Sequence, residues 1–304
     1  MNLNQSTWLA KLGKLNPSVS HAKGEGNSRF APHKPLLILC ILDLADETGL
    51  TSSLDKSPEL RLRFDSYWAI VQPRCGGRPG IDLPFHHLST QNFWTSLQES
   101  GRVSNSEKST TKISFNPTFI ECLLDPLFRK QARFKLIRTW FPENEQQGLL
   151  AAMGIGKAED QEAAFILRED SPEYQSKGRD ARFRIIVVTQ YRFSCALTGY
   201  GCHTSKGATL VEAAHVHAFS KSRNDNPDNG LALTRDAHWM FDEGLWTVDE
   251  NQRVCVANTV FTEWGPEAYW LKSRHGMPLN FLEGVMLRPS NENLGWHRRN
   301  IFCG

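Results

Sequence analysis

The sequence has no long apolar run. None approaches the roughly 18 residues that cross a bilayer, and the longest, Pro35 to Leu44, has the length of a core helix. The opening residues MNLNQSTWLAKLGKL lack the continuous apolar stretch of a signal peptide. Cysteine is sparse: the seven Cys include no C-x-x-C pair. That argues against a disulfide framework and points to reduced thiols in a cytoplasmic protein with no membrane partner. Cys195 and Cys202 stand seven apart, but no further zinc ligands are evident beside them. A large charge of one sign is also missing. The net charge of +2 is too small to prove a nucleic-acid partner. There are no internal repeats and no long low-complexity tract.

What is present is an ordinary globular composition. The chain has 304 residues, 40% hydrophobic and 22% charged, enough for two domains with proper cores. The modest basic excess lies in residues 1–150, net +4, while the remainder is net −2. The clearest compositional break, MGIGKAEDQEAAFILREDSPEYQSKGRD, is acidic and Gly-bounded. It divides the chain into a domain at 1–152, a linker at 153–180 in which Glu162 to Leu167 have room for a helical turn, and a domain at 181–304. Beyond the linker, ARFRIIVVTQY reads as a helix.

The first half carries several helix signals. His33-Lys34-Pro35 precedes the apolar run LLILCILDLADE, with Pro near the first turn. Ser57-Pro58 supplies an N-cap followed by Pro at the first helical position, and Asp125-Pro126 opens LFRKQARFKLIRTWF. On that last helix Leu127, Ala132, Leu136 and Trp140 are expected to face inward, with Arg129, Lys130, Arg133 and Arg138 on a solvated basic flank. IDLPFHHLST and KISFNP read as short strands or extended loops. The half is mixed but mainly helical.

The densest information lies between Cys195 and Trp246: CALTGY, then VEAAHVHAF, then NPDNGLALTRDAHWMFDEGLW. Within it His215, Asn229 and His238 stand 14 and 9 residues apart. An apolar strand leads into the first His, a polar loop reaches the Asn, and a helix carries the second His. This stretch resembles the HNH nucleases, whose site is a β-hairpin packed on a helix around one divalent metal. The resemblance implies hydrolysis of DNA phosphodiester bonds. Imidazole, with an ordinary pKa of about 6.5, suits removal of a proton from the attacking water. A cation suits the charge that develops on phosphate.

By that resemblance His215 is the general base, His238 a metal ligand, and Asn229 the residue that fixes the intervening loop through its side-chain amide. Many HNH proteins carry Asp or His immediately before the base, where this chain has Ala214. Glu212 and Asp242 are the candidates to complete the shell: Asp242, four residues after His238, is its neighbour on a helix. Each has an alternative role, Glu212 as an orienting group and Asp242 as a helix-end partner. His217 shares the face of His215 but reads as a satisfied surface His. Oxygen and imidazole ligands favour Mg²⁺ or Mn²⁺.

The first half also resembles a known module. APHKPLLILCILDL, LPFHHLSTQNFW and the LLDPLF…WFPE ending are similar to the sulfur-binding domains of phosphorothioate-dependent restriction endonucleases, which precede an HNH unit in that family. The resemblance implies a pocket lined by Pro84 and Phe85. His33 and Lys34 would contact the adjacent backbone, and His86 and His87 would lie near the bases. In that family an aromatic often precedes the Pro; here it is Leu83. Sulfur in place of a phosphate oxygen keeps the charge but is larger and less strongly hydrated, so an apolar pocket favours it.

The expectation is an α+β chain of two domains, a mainly helical reader and a C-terminal ββα-metal nuclease. It would cut phosphorothioated double-stranded DNA in host defence, and a homodimer would suit double-strand cuts because each one-metal site cuts one strand. The alternatives are an HNH endonuclease acting on base-modified or unmodified DNA, and a non-catalytic reader with a degenerate HNH site.

Overall fold

The computed structural model of the protein describes residues 2–17, 30–156, 172–204, 207–280 and 288–304. The helical turn expected at Glu162 to Leu167 lies outside them. The chain divides into two compact units, Met1–Arg182 and Phe183–Gly304.

The first unit is built around α2 (His33–Thr48), which follows α1 (Leu3–Leu12). Every residue of α2 from Pro35 to Ala45 is buried, as an almost unbroken apolar run demands. The one carboxylate in that run, Asp43, accepts from Arg63 Nη1 at 2.6 Å and from the Tyr67 hydroxyl at 2.7 Å. Both donors lie on α3 (Pro58–Cys75), so a buried charge becomes the pin between two helices. Ser57 caps α3 by accepting from the Leu60 amide at 3.2 Å, with Pro58 at the first position.

A three-stranded antiparallel sheet flanks these helices, with β1 (Ser53–Asp55), β2 (Trp94–Leu97) and β3 (Lys112–Phe115) in the order β1-β3-β2. Between β1 and β2 the segment Asp82–His87 forms a short helix, α4. This differs from the extended reading of IDLPFHHLST. Asp82 and Pro84 occupy the first turn, where a carboxylate is favoured and a missing N–H costs nothing.

Three helices follow: α5 (Pro117–Leu124), α6 (Pro126–Trp140) and α7 (Glu143–Ala152). Asp125 caps α6 by accepting from the Leu127 amide at 2.9 Å. The inward stripe of α6 includes Phe128, Ala132, Leu136, Ile137 and Trp140, whereas Leu127 is 70% exposed; the stripe begins one residue later than expected. The basic flank also differs from a solvated surface. Arg129 donates to Asp46 at 2.5 Å, and Arg133, which is buried, pairs with the same carboxylate. Residues 172–180, expected within a linker, belong to α8 (Pro172–Gln190). There Gly178 packs so closely that a Cβ would collide with the Gly148 carbonyl of α7.

The second unit begins within α8, whose Phe183, Ile185, Val187 and Val188 are buried. The antiparallel hairpin of β4 (Val211–His215) and β5 (Gly230–Thr234) pairs Val211 with Thr234 through His215 with Gly230. A one-turn helix α9 (Phe219–Ser222) lies in the connecting loop, and α10 (Arg235–Asp242) leaves β5 directly. A second hairpin, β6 (Trp246–Val248) and β7 (Val254–Val256), and α11 (Asn291–Asn300) complete the described fold. Cys195 is buried and Cys202 exposed, and both are free thiols. Among the described residues no helix is long and apolar enough to cross a membrane.

Candidate active site and reader pocket

His215 ends β4, and its ring is held on two sides. It stacks on Phe183 with centroids 3.9 Å apart and planes 5° from parallel. Its Nε2 lies 3.0 Å from Asp225 Oδ1. The cross-strand partner of His215 is Gly230, and a side chain there would collide with Val187 and press on the Phe183 ring. The glycine of the "NGLAL" element therefore lets α8 approach the hairpin and bring Phe183 beneath the imidazole.

Asn229 is fully buried. Its Oδ1 accepts from the His217 amide at 2.7 Å, and its Nδ2 donates to the carbonyls of His217 at 3.0 Å and Asn224 at 2.9 Å. Three hydrogen bonds from one amide close the loop between the strands. The His217 ring is half-buried and stacks on Trp296 of α11 at 3.9 Å.

His238 lies on α10, which is anchored by buried Ala237 and Phe241 and by the Trp246 indole donating to the Ala237 carbonyl at 3.0 Å. Its Nδ1 is 2.9 Å from Glu212 Oε1, and its Nε2 is 3.4 Å from Asp242 Oδ2. The two candidate carboxylates thus sit on opposite nitrogens. An Nδ1–H donated to Glu212 leaves the Nε2 lone pair facing a carboxylate, an arrangement that calls for a positive species between them, either a proton or a cation. Burial pushes the Asp242 carboxyl above the usual range, against the opposing pull of His238.

The donor set therefore fits a hard cation held by His238 Nε2 and Asp242, with Glu212 orienting the ring from behind. Among the described residues no three such side chains form a preassembled cage. Ala214 is fully buried, so the place where many HNH proteins carry a ligand is packing here.

In the first unit, a cavity of about 510 Å³ brings together His33 and Lys34 from the start of α2 with Leu83, Pro84 and His87 of α4. Its described lining contains no carboxylate. His33 packs on Trp68 at 4.4 Å, and burial lowers its pKa. Lys34 Nζ donates to the Asn16 carbonyl at 2.5 Å, and burial lowers its pKa as well. Phe85, expected in the pocket, and His86, expected near the bases, do not line the cavity. Phe85 is fully buried, packed on Trp94 and with its carbonyl accepting from the Trp94 indole at 2.9 Å. The Phe85 side chain is directed into the core against Trp94, so it does not share the cavity wall with Pro84. His86 turns to the Thr110 hydroxyl, 2.8 Å from its Nδ1.

Residues missed by sequence reasoning are Asp225 and Phe183. Asp225 is one of two Asp in the loop NDNPDN, with nothing in the sequence to say which reaches His215. Phe183 lies 32 residues upstream of His215 in an apparently ordinary helix.

Residues 195–249 match the HNH endonuclease family. This segment includes the β4–β5 hairpin, α10 and all three residues of the His–Asn–His set, and the match supports a nuclease role. No curated protein matches the chain. Among solved structures, a modification-dependent TagI restriction endonuclease matches with 17% identity over 40% of this chain and 38% of that one, at a TM-score of 0.32. The chain spans well under half of that protein, and at that score the likeness carries no argument.

Proposed function

We propose that the protein is a modification-dependent DNA endonuclease of host defence, with a reader at 1–152 and a nuclease at 181–304. The observation that carries the nuclease half is the placement of His215, Asn229 and His238 on the hairpin, its loop and the following helix, inside a segment that matches the HNH family. His215 takes the proton of the attacking water. Asn229 holds the loop that carries the base's surroundings, and Glu212 fixes the His238 ring. A Mg²⁺ or Mn²⁺ ion held by His238 and Asp242 would supply Lewis-acid stabilisation of the phosphate charge. The products carry 5′-phosphate and 3′-hydroxyl ends.

The reader half is supported by the cavity that gathers His33, Lys34, Pro84 and His87. An apolar wall of Leu83 and Pro84 beside Lys34 and the imidazoles of His33 and His87 suits a singly charged backbone atom with a weak hydration shell, as phosphorothioate sulfur has. The substrate is then phosphorothioated double-stranded DNA.

The experiment is metal-dependent nicking of phosphorothioated plasmid DNA by the wild-type protein and His215→Ala. Loss of the base should cut the rate by about 10²–10⁴-fold while leaving DNA binding nearly intact. Undiminished cleavage by the purified variant removes His215 from that role.

A further inference from the structure

The structure assigns to Asp225 a role that the His–Asn–His pattern does not contain: it is the positioning residue that sets the tautomer and rotation of His215. The inference rests on the reading of His215 as the base, and it concerns which nitrogen does the work.

An imidazole base needs one ring nitrogen protonated and the other bare, and the partner of the first decides which is which. A carboxylate oxygen can accept but not donate, so contact between Nε2 and Asp225 Oδ1 at 3.0 Å places the proton on Nε2. Nδ1 then carries the lone pair, and it has no hydrogen-bond partner among the described residues. The pair is largely sheltered, with side chains 18% and 14% exposed, so water competes weakly for either group. Phe183 stacked against one face blocks tilting of the ring, and Phe219, with its centroid 5.6 Å away, crowds it further. Only rotation within the ring plane is left, and the carboxylate stops that.

The loop explains why Asp225 stands where it does. Asn229 Nδ2 donates to the carbonyl of Asn224, the residue immediately before Asp225. The Asn224 amide donates to the Ser222 hydroxyl at 3.2 Å, and its side chain accepts from the Asn226 amide at 3.0 Å. Arg223, in the left-handed region at φ 52°, turns the chain back toward the strand. The backbone is thus fixed on both sides of Asp225. Asn229 therefore acts on the base through this residue: it holds the loop, the loop holds the carboxylate, and the carboxylate holds the imidazole. In this respect the arrangement follows the general logic of nucleophile, base and orienting acid.

The test uses the full chain. With ¹⁵N-labelled histidine, the ring signals of His215 are identified by their loss in His215→Ala. In neutral imidazole at alkaline pH the wild type should show the Nε2–H tautomer, and Asp225→Ala should show a mixture. In cleavage of phosphorothioated plasmid DNA, Asp225→Ala should lower kcat by roughly 10–10²-fold, less than removal of the base itself, with KM for DNA unchanged. Asp225→Glu, which restores a carboxylate, should recover part of the loss. An Nδ1–H tautomer in the wild type overturns the proposal, even if the alanine variant fails to fold. So does an alanine variant that keeps full activity while His215→Ala is inactive. If His215→Ala itself cleaves normally, the failure belongs to the base assignment, and the tautomer still reports on Asp225 separately.

Discussion

The two candidate sites differ in how they treat charge. In the nuclease unit each imidazole of the motif is matched to carboxylates: His215 to Asp225, His238 to Glu212 and Asp242. The cavity of the first unit has basic groups and apolar walls, with no carboxylate in its described lining. The first arrangement sets carboxylate oxygens against ring nitrogens at 2.9–3.4 Å. The second presents Pro and Leu beside its basic groups. In the function proposed above, one moves a proton and the other holds an anion that sheds water easily.

The largest effect that would sharpen this contrast concerns Phe85. If Phe85 were a wall of the cavity, Phe85→Ala would cost discrimination between DNA ligands and little stability. As a fully buried ring packed on Trp94, it should instead cost about 3–5 kcal/mol of folding free energy. Denaturant titration of the variant distinguishes the two.

His297 tests how far the nuclease unit depends on neutral histidine. Its ring is 2% exposed and stacks on Phe241 at 3.7 Å, and burial pushes its pKa down to about 4. The Nε2–H can donate to the Phe241 carbonyl while Nδ1 accepts from Thr247. Because the folded pKa lies below the ordinary value, the unfolded chain takes the proton first. Stability should therefore fall as pH drops from about 6.5 to about 4, by about 3 kcal/mol in all, with this contribution flat above and below. Denaturation at several pH values, compared with His297→Gln, should show the window in the wild type and its loss in the variant.

Asp242 separates a cation site from a proton-shared pair. Asp242→Asn should raise the Mg²⁺ or Mn²⁺ needed for half-maximal cleavage by roughly 10–100-fold, and Glu212→Gln should act more weakly, through the ring it orients. Equal metal dependence in both variants and the wild type would leave the His238–Asp242 contact as a helix-end ion pair.

The same contrast governs what could be read from the residues alone. The nuclease motif is compact in sequence: hairpin and helix lie within 195–249, and local spacing places His215, Asn229 and His238 on their elements. Helix starts at Ser57 and Asp125 are equally local, because a cap acts within three residues. What escaped notice depends on longer paths. Asp225 rather than Asp228 meets His215 because Asn229 ties down the backbone at Asn224. Phe183 reaches the imidazole only because Gly230 leaves space for α8. In the first unit the residue types of the cavity were foreseeable, but the segment read as extended is α4, and that sends Phe85 into the core. The ion pairs of Arg129 and Arg133 with Asp46 join positions more than 80 apart in sequence, beyond any helix periodicity.

The most direct test of the whole account is a titration of the full chain, in metal-free buffer, with a phosphorothioated duplex and its plain twin across a salt series. The two duplexes carry the same charge, so both affinities should fall together as salt rises through counterion release. The preference for sulfur, which arises from contact and desolvation at one atom, should persist throughout. Pro84→Ala should shrink that preference with little effect on plain DNA, and Lys34→Ala should weaken both. Equal affinities for the two duplexes at every salt concentration would contradict the sulfur reading.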